Sequence, residues 1–342
     1  MKVYISHNYR NLTSAGNKAK SDVEDILADE GFVNIGLKRS YRSGKVAAYF
    51  LNLAGILKAS AKLRKGDVLF LQYPLKKYFT FICKVAHSRG AKVVALVHDL
   101  GSERRKALTV KQELKRLGNA DHVIATNAVM AEHLERIGLD AQISALGLWD
   151  YLTAVDPIPV RIREELPRIA YAGSLNRRKN AFLWEWGNVV SGYNVDIYGY
   201  GFRLDEVAHP EVFTDHGFVD AEKLIAGMTS DYGLVWDGDN IDSCEGAFGS
   251  YLALNTPHKV SLYLRARLPL IIWSGAALAP TVKELGIGIM VDRLSDIPDA
   301  LKAVTPEQYA QMKVNVEHQN GLIASGHYLR QAVGKAIKQL AE

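Results

Sequence analysis

The sequence predicts an α/β protein made of two doubly wound domains, each a parallel sheet covered by helices. Three observations predict it. Short runs of Val, Ile and Leu recur along the 342 residues, each closed by a small or polar residue and followed by a helical pattern. Such strands read as parallel sheets buried on both faces. The chain is about twice the usual single-domain length. The runs also fall into two series, separated at Asp156-Pro-Ile-Pro159, where two prolines interrupt both periodicities.

The expected strands of the first series are Val3–Ile5, Val68–Gln72, Val93–Val97 and Val123–Ala125. Those of the second are Ile169–Ala172, Val195–Tyr198, Gly233–Trp236, Leu270–Trp273 and Ile287–Val291. Tyr328–Leu340 has the pattern of an amphipathic helix. The expected domains are therefore residues 1–156 and 157–326, with a terminal helical segment, 327–342, able to pack back on the first domain. No internal repeat or low-complexity segment interrupts this order.

Hydrophobic residues make up 48% and charged residues 23%, ordinary values for a globular protein. The two cysteines, Cys83 and Cys244, cannot form a disulfide framework, so a reducing, cytoplasmic location is expected. The first residues read as a strand rather than a signal peptide. No run of 18 apolar residues is present to span a membrane. Net charge is +5, unevenly placed: residues 1–155 hold 24 Lys and Arg against 14 Asp and Glu. A basic first half suits an anionic partner, such as lipid headgroups, a lipid-linked phosphate or nucleic acid; the competing reading is a solvated basic surface.

Open α/β sheets bind ligands beyond the carboxyl ends of their strands. The segments found there are Ser6–Lys20, His98-Asp99, Gly173–Lys179, Gly199-Tyr-Gly201, Asp237–Asp239 and Ser274-Gly275. Asn255-Thr-Pro-His-Lys259 reads as a helix start, with Thr256 as cap and Pro257 in the first helical position. Free N–H groups there form an anion site, to which His258 and Lys259 are adjacent. A lysine in the first turn disfavours the helix by about 0.3–1 kcal/mol, which points to function over a plain surface position.

Gly173 lets backbone approach a ligand, and Ser174 or Asn176 can cap the next helix. Arg177, Arg178 and Lys179 then place cations beside it, suited to a phosphate or to a basic surface turn. Asp237-Gly238-Asp239 closes a strand with two carboxylates. Without a third oxygen ligand they make a poor metal site, so sugar hydroxyls are the expected partners and no metal is expected. Gly246-Ala-Phe248-Gly249 reads equally as a ligand-contacting loop or a plain turn. His98 and Asp99 are alternative general bases. Gly16, Lys18 and Lys20 are expected in a loop after the first strand that contacts the acceptor or a phosphate and can approach either substrate.

Absences narrow the class. The chain has no P-loop, no nucleophile elbow and no H-E-x-x-H, and Gly199-Tyr-Gly201 fails the dinucleotide fingerprint at its third glycine. The E-x7-E pattern is missing as well.

The stretch W-D-G-D…C-E-G-A-F-G-S-Y…N-T-P-H-K-V-S-L-Y-L…L-P-L-I-I-W-S-G-A-A-L resembles bacterial O-antigen β-1,6-galactofuranosyltransferases. The likeness extends to Tyr171–Lys179, Val97–Asp99, Ala15–Lys20 and Asp150–Leu152. A more distant similarity is to the glucosyltransferases that extend glycans on streptococcal serine-rich adhesins, through Gly66–Val68, the His-Asp pair, Trp149-Asp150 and Gly233–Trp236.

The resemblance implies a GT-B fold, two facing Rossmann-like domains with the nucleotide donor mainly in the second and no metal. It implies that Arg177, Lys179 and Lys259 hold a UDP diphosphate, and that Asp237, Asp239 and the Gly246–Gly249 loop lie near the sugar or uridine. It leaves the base open between His98 and Asp99. The expected reaction is an inverting transfer of galactofuranose from UDP-α-galactofuranose to a sugar hydroxyl of a lipid-linked glycan, with no cofactor. The expected partners are the UDP-hexose and the glycan acceptor, with no nucleic acid, and the oligomeric state stays open between a single chain and a homo-oligomer. Tyr41–Arg64 interleaves cations with Tyr, Phe and Leu, which suits either peripheral contact with anionic lipid or an ordinary domain-surface helix. The alternatives are a UDP-glucose or UDP-galactose transferase acting on a glycan or glycoprotein, a sugar-nucleotide epimerase of related architecture, and a non-catalytic subunit that binds UDP-sugar.

Overall fold

The computed structural model describes residues 1–9, 15–42, 44–75, 78–104, 106–157 and 166–342. The chain forms two compact units, Met1–Asp150 with Gly326–Glu342, and Tyr151–Ser325. Each holds a six-stranded sheet.

In the first unit the strands are β1 (Lys2–Tyr4), β2 (Val33–Asn34), β3 (Val68–Tyr73), β4 (Lys92–Val97), β5 (His122–Ala125) and β6 (Gln142–Ala145), in the order β2-β1-β3-β4-β5-β6. All pair in parallel. The helices that follow the first three strands are α1 (Ala15–Asp29), α2 (Lys45–Lys62) and α3 (Tyr78–Ser88). The central strands β3 and β4 are the most apolar, with Leu69, Val93, Ala95 and Leu96 fully buried. That is what a strand covered on both faces requires.

The second unit has β7 (Arg168–Ser174), β8 (Asn194–Tyr200), β9 (Phe213–Asp215), β10 (Tyr232–Val235), β11 (Leu270–Trp273) and β12 (Gly288–Val291). Their order is β12-β11-β10-β7-β8-β9, again all parallel. Renumbered within the unit this is the Rossmann order, and its switch point lies between β7 and β10. The connections leaving these two strands run to opposite sides, so a crevice opens above their carboxyl ends. Trp186, Trp236, Tyr171 and Phe182 fill the core beneath it.

Nine strands lie where the apolar runs place them. The three others, β2, β6 and β9, stand at sheet edges. Their short segments V-N, Q-I-S-A and F-T-D lack a continuous apolar run, since an edge strand is paired on one side only.

The unit boundary falls after Asp150, six residues before the expected break at 156/157. Tyr151 explains the difference. Its N–H donates to the Ile323 carbonyl at 3.2 Å, and its ring stacks on His258 at 4.9 Å. Arg265, only 3% exposed, donates to the Thr153 carbonyl, and Arg267 to that of Pro157. Residues 151–157 are thereby fastened to the second unit. The remainder of Asp156-Pro-Ile-Pro159, from residue 158, lies outside the described residues.

The last helix, His327–Ala341, belongs to the first unit, where it packs against β5, β6 and α1. Its start is fixed by buried Asp150, whose carboxylate accepts the N–H groups of Tyr328 at 3.2 Å and Leu329 at 2.7 Å. These are first-turn donors with no partner inside the helix. Among the described residues no helix is long and apolar enough to cross a membrane.

Candidate functional site

The switch-point crevice of the second unit gathers a buried charge cluster. Asp237 directly follows Trp236 at the end of β10 and is 6% exposed. Lys259 reaches it from the helix Lys259–Arg265, with Nζ 2.9 Å from Asp237 Oδ1. Lys179 approaches Oδ2 at 3.3 Å from the short helix Arg177–Asn180. The Tyr171 hydroxyl, on β7, donates to Asp237 Oδ1 at 3.0 Å. Lys259 Nζ donates further to Tyr171 Oη at 3.1 Å and to the Trp236 carbonyl at 3.3 Å, and it lies 4.1 Å from the centre of the Tyr171 ring.

Burial acts against both charges, and its effect differs between them. It would raise the Asp237 carboxyl, but Lys259 and Lys179 outweigh it and hold that group below its ordinary value. Burial lowers Lys259 to about 8, against the opposing pull of Asp237. The trio carries a net charge of about +1, and Lys179, with 23% of its side chain exposed, is its solvent-facing member.

One expected member stands elsewhere. The Arg177 side chain is 60% exposed, pairs with Glu206 at 3.0 Å, and lies over the Trp184 ring at 4.6 Å. A guanidinium prefers that carboxylate-plus-aromatic seat to bulk water, so it is not part of the lysine cluster. Arg178 lies 5.7 Å from the Phe248 ring centre.

The helix start is displaced as well. The helix begins at Lys259, two residues after Pro257. Its cap position is taken by His258, whose side chain makes no cap bond and stacks on Tyr151. Thr256 is buried and is not the cap. A seven-residue helix has little macrodipole, so the cation here is the Lys259 ammonium rather than a helix end at Pro257.

The glycines of this region have a packing reason. Gly238 has φ +129°, and a Cβ there would stand 2.6 Å from the Glu245 carbonyl; one on buried Gly249 would stand 2.7 Å from that of Asp237. The two loops press on each other, so the Gly246–Gly249 glycines answer to loop–loop contact. Asp239 is exposed, with its carboxylate against Gly246. Gly173, at the end of β7, faces open space, and the Ser174 hydroxyl accepts from the Asn176 amide at 2.7 Å. Asn176, not Ser174, caps the next helix by accepting from Lys179 N–H.

In the first unit, His98 and Asp99 stand at the carboxyl end of β4 with different partners. His98 stacks on Trp149 at 4.7 Å, and its Nε2 lies 2.8 Å from Gln72 Oε1. The Gln72 amide nitrogen donates to the Lys20 carbonyl at 3.1 Å, which turns its oxygen toward the imidazole. His98 Nε2 is therefore the donor in this contact. Asp99 is paired with Arg104 at 2.5 Å.

Gly16, Lys18 and Lys20 lie in the first turns of α1 and not in a loop. Lys18 is paired with buried Asp22, so its charge is already matched. The rest of the segment expected after β1, residues 10–14, lies outside the described residues.

Two features take shape only in the fold, although each draws on a segment that the sequence places beyond a strand end, Ser6–Lys20 and Gly199-Tyr-Gly201. A polar cavity of about 170 Å³ lies beyond β1, lined among others by His7, Asn8, Lys38, Arg42 and Asn52. Burial and the nearby Lys20 lower His7 to about 4, so its ring is neutral at pH 7. In the second unit, Tyr200 is 72% exposed and stacks on Phe218 at 4.7 Å and 3°. An aromatic held between two glycines at a strand's carboxyl end was the signal available for it.

Known proteins show the same two-part organisation. Residues 2–148 match the N-terminal domain, and residues 169–336 the C-terminal domain, of the family described as Glucosyltransferase 3-like. The chain is 30% identical over 328 residues to β-1,6-galactofuranosyltransferase WbbI of Escherichia coli K12, covering 95% of both chains. It is 23% identical to glucosyltransferase 3 of Streptococcus parasanguinis, covering 99% of both. Among solved structures, Anabaena HepE in complex with UDP-glucose matches with a TM-score of 0.56 at 11% identity, over 100% of this chain and 99% of that one. The order of elements is that of GT-B glycosyltransferases. With both domains matched and a relative of this identity aligned end to end, the chain belongs to the Glucosyltransferase 3-like family and is a GT-B glycosyltransferase.

Proposed function

We propose that the chain transfers galactofuranose from UDP-α-galactofuranose to a sugar hydroxyl of a lipid-linked glycan, with inversion at the anomeric carbon. The observation that carries the donor half is the pair of lysines held on Asp237 at the switch point of the second unit. The diphosphate binds against Lys179 and Lys259, and the exposed Tyr200–Phe218 stack offers a flat face to the uracil ring. The WbbI relative supports the choice of sugar.

The acceptor oxygen attacks the anomeric carbon as that carbon's bond to the phosphate oxygen breaks. The acceptor proton passes to the His98 imidazole, preferred over the Asp99 carboxylate because Asp99 is matched by Arg104. The electron pair of the broken bond leaves on UDP, where the two ammonium groups stabilise it. In this reading the lysines supply the positive charge and no metal ion or cofactor takes part, so EDTA leaves turnover unchanged.

The test is mass spectrometry of products from synthetic lipid-linked acceptors incubated with UDP-galactofuranose and with UDP-glucose. A mass gain of one hexose from UDP-galactofuranose alone supports the proposal. A product from UDP-glucose alone replaces the donor, the reading that the streptococcal relative and the family description favour. An isomerised donor with no acceptor product replaces transfer by epimerisation, and UDP binding without turnover of any pair leaves a non-catalytic subunit.

A further inference from the structure

Helices α2 and α3 leave an apolar face that serves none of the sites above. Val46, Phe50 and Leu57 are 70%, 61% and 52% exposed. They recur at helical spacing, so they form one stripe on the side of α2 opposite buried Ala48, Gly55 and Ala59. On α3, Phe81 is 45% exposed, and Tyr49 of α2 lies 6.3 Å from Tyr78 of α3, which joins the two faces.

The surrounding charge is one-sided. Residues 31–98 contain thirteen Lys and Arg and a single acid; two of those cations, Arg39 and Lys92, are paired with Asp25 and Asp121 from outside the range, and the remainder leave an excess of positive charge. That acid, Asp67, is buried and paired with the N-terminal ammonium. Neither helix contains Asp or Glu, while Lys45, Lys58 and Lys84 are exposed beside the apolar stripe.

An apolar stripe within a field of one sign matches an anionic bilayer, whose negative headgroups overlie hydrocarbon. A polyanion without an apolar layer would leave the stripe wet, and a second copy of the same face would set like charges against each other. We infer that the α2–α3 face seats on an anionic lipid surface. Val46, Phe50, Leu57 and Phe81 enter the boundary between headgroups and acyl chains, and the lysines pair with the headgroups.

The other side of α2 gives the placement a use. Leu51 and Asn52 line the cavity beyond β1, so the helix that rests on the bilayer also walls that cavity. A glycan carried by a lipid would reach it without leaving the surface. This last step rests on the proposed acceptor; the docking itself does not.

The experiment is co-sedimentation of the full chain with vesicles of phosphatidylglycerol in phosphatidylcholine, and with phosphatidylcholine alone. Binding is expected only to the anionic vesicles, and it weakens as salt is raised. A Phe50→Ser/Leu57→Ser variant is expected to bind about tenfold or more weakly. A Lys45→Gln/Lys58→Gln variant is expected to lose about fivefold per lysine and much of the salt dependence. Because all four side chains are exposed, the melting temperature should be unchanged.

Failure of the wild type to bind anionic vesicles, or equal binding by the variants, overturns the inference. So does a wild-type dimer that the Phe50→Ser/Leu57→Ser variant converts to monomer without lipid binding, which assigns the face to a second copy. Transfer to a short soluble acceptor should be equal in wild type and the serine variant. Its absence from both would count against the transferase reading while leaving the vesicle result intact.

Discussion

Lys259 commits its ammonium hydrogens within the protein, to Asp237, Tyr171 and the Trp236 carbonyl. The cation is thus fixed before any donor arrives, as stabilisation of a leaving diphosphate requires. Lys259→Ala should lower turnover by about 10²–10³, and it would strand a buried carboxylate beside Lys179. Steady-state kinetics with the melting temperature in parallel separates lost catalysis from lost folding, and full activity would remove Lys259 from the donor site. Because burial lowers this ammonium to about 8, its charge disappears as pH rises through that value. Donor kcat/KM, which reports the free enzyme, should therefore fall above about pH 8. A pH profile flat to 10 would contradict this, taking about 10 as the region of an ordinary lysine.

The sequence exposed this neighbourhood because carboxylates and lysines stood at strand ends. It could not show that Arg177 prefers Glu206 and Trp184, since Trp184 and Glu206 come close only through the fold. Nor could it distinguish His98 from Asp99. The proposed choice of His98 rests on Gln72 and Arg104, one of them on another strand.

At the scale of elements, Asp150 ties the end of one segment to the start of the last helix. Asp150→Ala removes the acceptor of two first-turn N–H groups and should cost about 1–2 kcal/mol, read by chemical denaturation. Burial raises this carboxyl to about 7, although the Tyr328 and Leu329 N–H groups pull it down. The folded chain then keeps a proton that the unfolded chain releases above about pH 4. Stability from this group is therefore full at low pH and is lost as pH climbs from about 4 to about 7. Asp150→Asn, which keeps an acceptor and cannot ionise, should flatten that slope, and an unchanged slope would place the titration elsewhere. The sequence offered Asp150 only as part of a resemblance. Its capping role spans 179 positions to Leu329, a separation no local pattern encodes. The interior strands were legible because burial on both faces enforces a continuous apolar run. The edge strands β2, β6 and β9 were not, because one-sided pairing lets polar residues in.

For the whole molecule, the two-series pattern, the Rossmann order of the second sheet and the family match agree on a glycosyltransferase of two α/β units. The division was legible to within six residues. The remainder depended on Tyr151, whose N–H and ring both bind the second unit. Removing residues 327–342 should destabilise the first unit and leave the second folded. Limited proteolysis should then yield a resistant fragment close to residues 151–325, and equal resistance of both units would refute the assignment.

The last helix also has a consequence for biosynthesis. Its residues leave the ribosome after the entire second unit, yet they complete the first. During translation the earliest-made half must therefore wait with the binding surface for that helix on β5, β6 and α1 uncovered, while the later-made half has all its parts and can close ahead of it.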